Sequence, residues 1–382
     1  MTDKKIIYTD NAATTRIDPL AFDAMLPFLG DDFSIPSSLH SIGKVARDAV
    51  ELARYQIAEC VGATPEEIFF TSCGTESDNW AIRGTAYEKR CKGNHLITSS
   101  IEHHAVLNCC TALVREGFTA TLLPVDNRGL ISADDLCAAI LPDTTFVSIM
   151  MANNEIGTIQ DVKLLATTSH QHAIVFHTDA IQAVGHIEIN VADLGIDLLS
   201  ASAHKFNGPK GIGFLYKRTS VQLPPFIFGC KQEFGIRAGT ENVAGIVGMA
   251  CALKNHIAYM KEEVFHIDRL TEIITSRVLA QIPDAKINGH PNQRLPGLIS
   301  LSLAGISGES ILHLLDLKRI IVSTGAACNS KETIVSHVLQ ELKLPSNYSA
   351  GTIRISLSKD NTEEEAIIIA NAIISIYSKL RK

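Results

Sequence analysis

The chain has 382 residues, of which 46% are hydrophobic and 20% are charged. These proportions are typical of a globular protein of two or three domains and exclude a disordered or fibrous chain. The formal net charge of -7 argues against nucleic acid or an anionic membrane as the main partner. Because fully apolar runs are only a few residues long, the sequence predicts neither a membrane span nor a secretory signal.

The chain contains nine cysteines, an odd number, and none of them forms a Cys-x-x-Cys pair. Such a scattered set is expected in a reducing compartment, where most thiols pack as small apolar side chains. We therefore predict a cytoplasmic protein without disulfide bonds, and we predict no metal site.

Short apolar segments alternate with amphipathic stretches through the first half of the chain. Strands are predicted at residues 67–71, 95–98, 119–123, 145–150, 174–177 and 198–200, and helices at 44–61, 75–90, 105–116, 132–139 and 162–172. This alternation requires crossover connections. It predicts an α/β fold with a largely parallel sheet that carries helices on both faces.

The pattern changes after residue 240. Residues 241–279 remain helical over a length that is unusual for one globular helix, so we predict a long helix that links two domains. Further strands are predicted at residues 297–303 and 352–358. The second domain is predicted to begin near residue 256.

Two features of the last hundred residues predict local structure. In residues 352–358, the polar side chains of Arg354 and Ser356 alternate with apolar ones, which predicts one face in contact with water. Thr362 is followed three residues later by Glu365, a capping box that predicts the start of the last helix.

Polar side chains follow five of the predicted strands: Thr75, His103, Asn154, Asp179 and Lys205. The carboxyl ends of parallel strands meet at one edge of the sheet, where such folds bind ligands. The helix N-terminus predicted at Thr75 is a suitable phosphate site, and a lysine shielded from water, as Lys205 would be, can form a Schiff base. A carboxylate at a strand end, such as Asp179, can bind magnesium, act as a base or pair with a pyridinium nitrogen. The set therefore predicts a pyridoxal phosphate site.

Each of these residues also has a simpler interpretation when taken alone. Thr75 has the residue type of an ordinary helix N-cap, and Lys205 fits a surface lysine in a glycine-rich turn. Cys328 lies in a run of small residues, where a buried structural cysteine is common.

Ten segments spread along the chain form a more specific pattern. They are YTDNAATT from Tyr8, SLHSIGK from Ser38, GTESDN from Gly74, EHHAV from Glu102, NNEIG from Asn153, DAIQAVG from Asp179, SAHKFNGPKGIG from Ser202, RAGTEN from Arg237, STGAACNS from Ser323 and TIRISLS from Thr352. With these segments the chain resembles, nearly end to end, the NifS/IscS-type cysteine desulfurases of the class V aminotransferase family.

The resemblance implies the fold of the PLP-dependent transferases, like that of aspartate aminotransferase. It also implies a large cofactor-binding domain at residues 15–255. A small domain formed by residues 1–14 and 256–382 would carry the catalytic cysteine and the arginine that binds the substrate carboxylate.

The resemblance also implies a role for each matching residue. Lys205 would bind pyridoxal 5'-phosphate covalently, Asp179 would pair with its ring nitrogen, and His103 would stack on the ring. The residues implied to hold the phosphate or the ring hydroxyl are Gly74, Thr75, Ser202, His204, Asn154, Gln182 and, from the second subunit of a homodimer, Thr240. Arg354 would bind the substrate carboxylate together with Asn154, and Cys328 would accept the sulfur.

The implied activity is that of a cysteine desulfurase, which converts L-cysteine to L-alanine and leaves a persulfide on Cys328. The sulfur would serve iron–sulfur cluster assembly, through a scaffold protein, or another sulfur-transfer pathway. Two alternatives stay open: a selenocysteine lyase or other β-eliminating lyase, and a catalytically silent scaffold. The chain departs from the family pattern at FGCKQE, where Cys230 and Lys231 replace small residues.

Overall fold

The computed structural model describes residues 5–324 and 336–381. Its strands are β1 (Ile7–Tyr8), β2 (Ile68–Thr71), β3 (His95–Ser99), β4 (Thr119–Leu123), β5 (Thr144–Ser148), β6 (Val175–Asp179), β7 (Leu198–Ser202), β8 (Gly213–Lys217), β9 (Ala285–Ile287), β10 (Leu298–Leu303), β11 (Ile320–Ile321) and β12 (Thr352–Ser356). Its helices are α1 (Pro19–Leu29), α2 (Ser41–Val61), α3 (Gly74–Glu88), α4 (His104–Arg115), α5 (Ala133–Ala139), α6 (Val162–Gln171), α7 (Val243–Gln281), α8 (Gly308–Asp316), α9 (His337–Glu341), α10 (Ser346–Ser349) and α11 (Glu363–Leu380).

Seven strands form the central sheet, in the order β2-β8-β7-β6-β5-β3-β4. Only the pairings of β8 with β2 and β7 are antiparallel, so the predicted largely parallel sheet is confirmed. Strand β8 was not predicted, because only a short apolar run, residues 214–216, follows the glycine-rich turn. Since β2 and β7 both run opposite to β8, the carboxyl ends of the six other strands lie at one edge.

Helices cover both faces of this sheet, as predicted. Side chains alternate along each strand, so Phe70 and Phe176 pack with α2, α6 and α7, while Phe69 and Phe146 pack with α3 and α4 on the opposite face. Helix α2 packs through apolar residues spaced three or four apart and ends at Gly62, whose φ of 69° suits glycine.

A second core surrounds the sheet β12-β10-β9 and the parallel pair β1-β11. Helix α7 joins the two cores, because Leu253 packs in the first core and Leu270 and Ile274 pack in the second. The predicted linking helix is therefore confirmed, as one helix of 39 residues. The division into domains at residue 256 stays a prediction, and α7 crosses that position without a break.

Within the described part of the chain, α7 is the one helix long and apolar enough to cross a membrane by length and composition. In the protein, however, 61% of the apolar stretch of this helix is buried. Its apolar residues therefore pack in the two cores, and its length and composition are only weak evidence for a membrane span.

Strand β12 corrects one prediction and α11 confirms another. The face of β12 with Arg354 and Ser356 was predicted to contact water, but these residues are only 4% exposed. The prediction was wrong because the N-terminal residues 10–12 cover this face, with Ala12 N donating to Ser356 Oγ at 2.9 Å. The capping box at Thr362 and Glu365 is present at the start of α11, as predicted.

A buried ion pair connects α2 to the segment after β8. Both Nη atoms of Arg54 donate to the carboxylate of Glu233, at 2.9 and 2.8 Å, and the two side chains are 4% and 3% exposed. Glu233 also accepts from Phe70 N at 2.8 Å. Removal of either partner would leave a buried charge with fewer partners, which is costly.

We expect Arg54→Met to lower the free energy of unfolding by about 3–5 kcal/mol, because Glu233 would lose its cation. Arg269→Met is the matched control, since Arg269 and Glu363 form an exposed pair whose loss costs less than about 1 kcal/mol. Urea unfolding followed by the fluorescence of the single, buried Trp80 measures both values. Equal effects of the two variants would contradict the importance of the buried pair.

Candidate active site

A cavity of about 340 Å³ lies at the edge of the sheet where the parallel strands end. We call it the strand-end cavity. It is lined by Ala12, Ala13, Cys73, Gly74, Thr75, His103, Met150, Asn154, Asp179, Ile181, Gln182, Ser202, His204, Lys205 and Arg354. The five residues predicted to follow strand ends all lie here, because β2, β3, β5, β6 and β7 run in the same direction.

Lys205 lies in the turn directly after β7. Its Nζ donates to the carbonyl oxygens of Ala12 and Ala13, at 2.7 and 2.8 Å. The His186 ring, through Nε2, donates to the carbonyl oxygen of Lys205 at 2.9 Å and fixes the turn from behind. The amine is thus held at the cavity wall by two backbone acceptors.

Asp179 ends β6 and is 4% exposed. Burial raises the pKa of its carboxyl to about 6, opposed by a hydrogen bond from Ile181 N at 3.0 Å and by the charge of Lys205. With a pKa of about 6 this carboxyl is largely ionised at neutral pH, and an ionised carboxylate suits a cationic ring nitrogen as its partner.

His103 is the N-cap of α4 and lies on the cavity wall. Its Nδ1 accepts from Ala105 N at 3.1 Å, which leaves the proton of the neutral ring on Nε2. Burial, together with the charges of Lys205, His104 and His337, lowers the pKa of His103 to about 4. The ring is therefore neutral at physiological pH, a state suited to stacking on an aromatic ring and to accepting a proton.

The N-terminus of α3 forms one end of the cavity. The N-cap is Cys73, whose side chain makes no capping hydrogen bond, so the interpretation of Thr75 as a simple N-cap was wrong. A Cβ atom at Gly74 would lie 2.1 Å from Ile181 Cδ1, so any larger residue would require the Ile181 side chain to move. Thr75, in the first turn, adds a hydroxyl, and this end of the cavity suits an anion such as phosphate.

Ser202 and His204 lie beside this helix terminus in the cavity lining. The Nδ1 of His204 shares a hydrogen bond with Thr14 Oγ1 at 3.2 Å. Burial, and then the charges of Lys205 and Lys210, lower the pKa of His204 to about 4, so it is a neutral hydrogen-bonding group.

Arg354 reaches the cavity from β12. Its Nη1 donates to the carbonyl oxygen of Asn154 at 2.8 Å and its Nη2 donates to Asp10 Oδ1 at 2.8 Å. Its Nε has no hydrogen-bond partner among the described residues. Gln182 donates to the carbonyl oxygen of Ala12 at 2.9 Å. The guanidinium is thus anchored from two sides through its Nη atoms.

Our reading of the sequence missed the role of the N-terminal turn at residues 10–15, although its motif was noted. The turn accepts from Lys205 through Ala12 and Ala13 and from Arg354 through Asp10. The small residues of the motif were the available signal, since they let carbonyl groups approach a side chain closely.

Two predicted site residues are not placed in the cavity. Thr240 is exposed in the single chain and does not line it. Cys328 lies outside the described residues. Among the described residues no group of three His, Cys, Asp or Glu side chains has the arrangement of a metal site.

The chain is similar in sequence to known proteins of one family. The family model described as aminotransferase class-V matches residues 7–367. The chain is 47% identical to the cysteine desulfurase IscS of Methanosarcina thermophila, covering 100% of this chain and 94% of the relative. It is also 47% identical to the cysteine desulfurase IscS of Dictyoglomus turgidum, covering 99% and 96%.

Solved structures are similar to this chain over nearly its whole length. A NifS-like protein superposes with a TM-score of 0.93 and 37% identity, over 98% of this chain and 100% of that chain. The structure titled SspA in complex with cysteine superposes with a TM-score of 0.83 and 34% identity, over 93% and 100%. The chain therefore belongs to the class V aminotransferase family and, within it, to the NifS/IscS-type cysteine desulfurases.

Proposed function

We propose that this cysteine desulfurase binds pyridoxal 5'-phosphate in the strand-end cavity and uses it to convert L-cysteine to L-alanine, with Cys328 as the sulfur acceptor. The observation that carries the proposal is that Lys205, Asp179 and Arg354 line one cavity. An amine, a buried carboxyl and a guanidinium there provide for a cofactor aldehyde, a ring nitrogen and a substrate carboxylate.

The residues of the cavity suit this cofactor. Lys205 would bind its aldehyde, Asp179 would face its ring nitrogen, and the start of α3 with Ser202 and His204 would hold its phosphate. Gln182 and Asn154 would lie near its ring hydroxyl, and His103 would lie against the ring. When bound, the cofactor supplies an electron sink for bonds at the substrate α-carbon.

The remaining chemistry belongs to the side chains. With the cofactor and substrate bound, Lys205 and neutral His103 would be the groups that carry a proton to or from the substrate α-carbon. Arg354 and Asn154 would orient the substrate through its carboxylate. Asp179, with a pKa of about 6, would favour the protonated form of the ring nitrogen by its charge.

The sulfur step is proposed for Cys328. Its thiolate would attack the substrate sulfur, so that a sulfur–sulfur bond forms, the carbon–sulfur bond breaks, and the carbon fragment takes up a proton to leave as alanine. Two described residues that flank the cysteine segment support this position. Ser323 exchanges backbone hydrogen bonds with Arg354, at 3.0 and 2.7 Å, and Ser336 donates to Glu155, next to Asn154.

A homodimer is part of the same proposal. Helices α1 and α2 and the segment between them expose large apolar side chains, including Leu29 at 65%, Phe33 at 75% and Leu39 at 95%. A set of this kind is typical of a protein–protein interface. A second copy on this surface would also provide the setting in which exposed Thr240 reaches a phosphate.

We further propose a cytoplasmic location and a thiol-bearing acceptor, such as an iron–sulfur scaffold protein, for the persulfide sulfur. The eight cysteines in the described part of the chain are all free, which agrees with a reducing compartment. The large domain at residues 15–255 would hold the cofactor. The small domain would supply Arg354 and Cys328.

The central prediction separates cofactor chemistry from sulfur transfer. Cys328→Ala is expected to keep the bound cofactor and its spectral response to L-cysteine, because Lys205 and Arg354 are intact, but to release no appreciable alanine. The matched control is Cys230→Ala, which removes an exposed cysteine and should keep full activity. Absorbance spectra, alanine release and mass spectrometry of the persulfide peptide provide the measurements.

Steady alanine release by Cys328→Ala would contradict this assignment and favour the selenocysteine lyase or another β-eliminating lyase. A purified protein that binds no cofactor would instead favour the silent scaffold.

Arg354→Lys is expected to lower kcat/KM for L-cysteine by roughly thirty-fold or more, because lysine keeps the charge but not the planar donor pair. Most of the loss should lie in KM if the carboxylate contact is made equally in the ground and transition states. Steady-state kinetics at equal cofactor occupancy measures the effect, with exposed Arg269→Lys as the control. Unchanged kinetics would mean that another group binds the carboxylate.

The double variant Phe33→Asp and Leu39→Asp is expected to be monomeric, because it places charge in the proposed apolar interface. Light scattering at micromolar concentration should report twice the chain mass for the wild type and the single mass for the variant. Phe265→Asp is the matched control, since Phe265 is 76% exposed on α7 and lies outside this surface. A wild-type protein that is monomeric while it turns over would refute the dimer.

A further inference from the structure

A buried carboxyl that the proposed mechanism does not use lies beneath the strand-end cavity. Asp78 extends from α3, the helix whose N-terminus forms the anion-binding end of the cavity, and it is 0% exposed. Neither of its carboxyl oxygens has a hydrogen-bond partner among the described residues. An ionised carboxylate in such a place would be very costly, because neither water nor a donor compensates for its charge.

The groups that face Asp78 come from three directions. From β6 come Asp179 and His177, whose Nε2 lies 3.8 Å from Asp78 Oδ1. Glu102 approaches from the start of α4, Cys73 from the N-cap of α3 and Cys109 from α4. These groups are acids, thiols and one imidazole.

Burial keeps two members of this set, His177 and Cys109, uncharged. It lowers the pKa of His177 to about 3 and raises that of the Cys109 thiol to about 12, so both are uncharged. It also raises the pKa of Glu102 to about 8. No cation therefore compensates for a charge on Asp78 from within the set.

Burial is also the main cause that raises the pKa of Asp78 well above its ordinary value, and the charge of Asp179 is the next. The Ser200 hydroxyl, which shares a hydrogen bond with His177 Nε2 at 3.0 Å, opposes this shift without reversing it. Two adjacent buried carboxyls do not both ionise at low cost. Asp179 has a backbone hydrogen bond and Lys205 nearby, so the negative charge belongs on Asp179 and the proton on Asp78.

We propose that Asp78 is a positioning residue of the cofactor site: a carboxylic acid that stays protonated beneath Asp179, so that Asp179 alone presents a negative charge to the ring nitrogen. This inference deepens the proposed function and rests on it for the role of Asp179. Of the groups that face Asp78, His177 is itself hydrogen-bonded through both ring nitrogens, to Ser148 Oγ at 2.8 Å and to Ser200 Oγ at 3.0 Å.

The first test compares the pH dependence of stability in the wild type and in Asp78→Asn, a neutral variant of nearly equal shape. An acid whose pKa is raised in the folded protein stabilises it fully below the unfolded-state pKa, and this contribution is lost as the pH rises toward the folded-state pKa. The melting temperature of the Asp78→Asn holoenzyme, relative to the wild type, should therefore increase by at least about 4 °C from about pH 5 to about pH 8.

The matched control is Asp197→Asn. Asp197 is also buried, but it binds Arg218 Nη1 at 3.0 Å and His170 Nε2 at 2.8 Å, so its charge is compensated. This variant should melt below the wild type at every pH and gain nothing as the pH rises. A difference between Asp78→Asn and the wild type that stays flat with pH, or an Asp78→Asn protein that does not fold, would overturn the proposal.

The second test uses the wild type and the cofactor spectrum. Infrared spectra of protein with isotope-labelled aspartate should show a protonated carboxyl band near pH 8 that Asp78→Asn lacks, and the label distinguishes it from Glu102. The pH midpoint of the cofactor absorbance should agree between Asp78→Asn and the wild type within about 0.3 pH unit. A fall of about one unit or more, or no protonated aspartate band, would mean that Asp78 is ionised.

The two tests fail separately from the proposed function. The stability and infrared measurements report the proton on Asp78 whatever reaction the cavity supports. If they succeed while Cys328→Ala still releases alanine, the assignment of the sulfur step is wrong and that of Asp78 stands.

Discussion

The N-terminal turn at residues 10–15 is the contact on which the arrangement of the site depends. Through carbonyl oxygens it accepts two hydrogen bonds from Lys205, and through Asp10 it accepts one from Arg354. The same turn pairs with Ser356 on β12 and, through Thr15, with the carbonyl oxygen of His204. One short segment thus connects the strand that carries the arginine to the turn that carries the lysine. Because both cations bind to it, their separation follows from the backbone of the turn.

Burial sets the protonation of the groups around these cations. His103 and His204 have pKa values of about 4, and Asp179 has one of about 6. Arg354, in contrast, is paired with a carboxylate, that of Asp10, at 2.8 Å. The two histidines of the cavity are therefore neutral at physiological pH, and the charges in its lining belong to Lys205, Arg354 and Asp179.

Glu76 connects the end of the cavity formed by the start of α3 to the segment that precedes α7. Its carboxylate accepts from Ser72 N at 2.7 Å and from Arg237 Nε at 2.8 Å. Arg237 precedes Thr240 by three residues, so one carboxylate holds both the turn before α3 and the segment that carries Thr240. Burial raises the pKa of Glu76, but the hydrogen bonds and charge of Arg237 and the hydrogen bonds of Ser72 lower it by more, so the net shift is downward and the carboxylate stays ionised.

The sequence by itself determined the α/β class, the long α7 and the residues at the strand ends, because these follow from local periodicity and from the rule that parallel strands end at one edge. It also determined the capping box at Thr362. The burial of the polar face of β12 came only with the tertiary structure, since the residues that cover it are more than 300 positions away along the chain. The N-cap of α3 is Cys73 and not Thr75, because the position at which the backbone enters the helix is set by the tertiary structure. The partners of Lys205 and Arg354 are backbone carbonyls and an aspartate of the N-terminal turn. Since every residue has a backbone carbonyl, the small residues of the turn were the only signal of the lysine contact. The proton on Asp78 has the same origin, because only the packing of α3 against β6 decides that its carboxyl meets another acid and no cation.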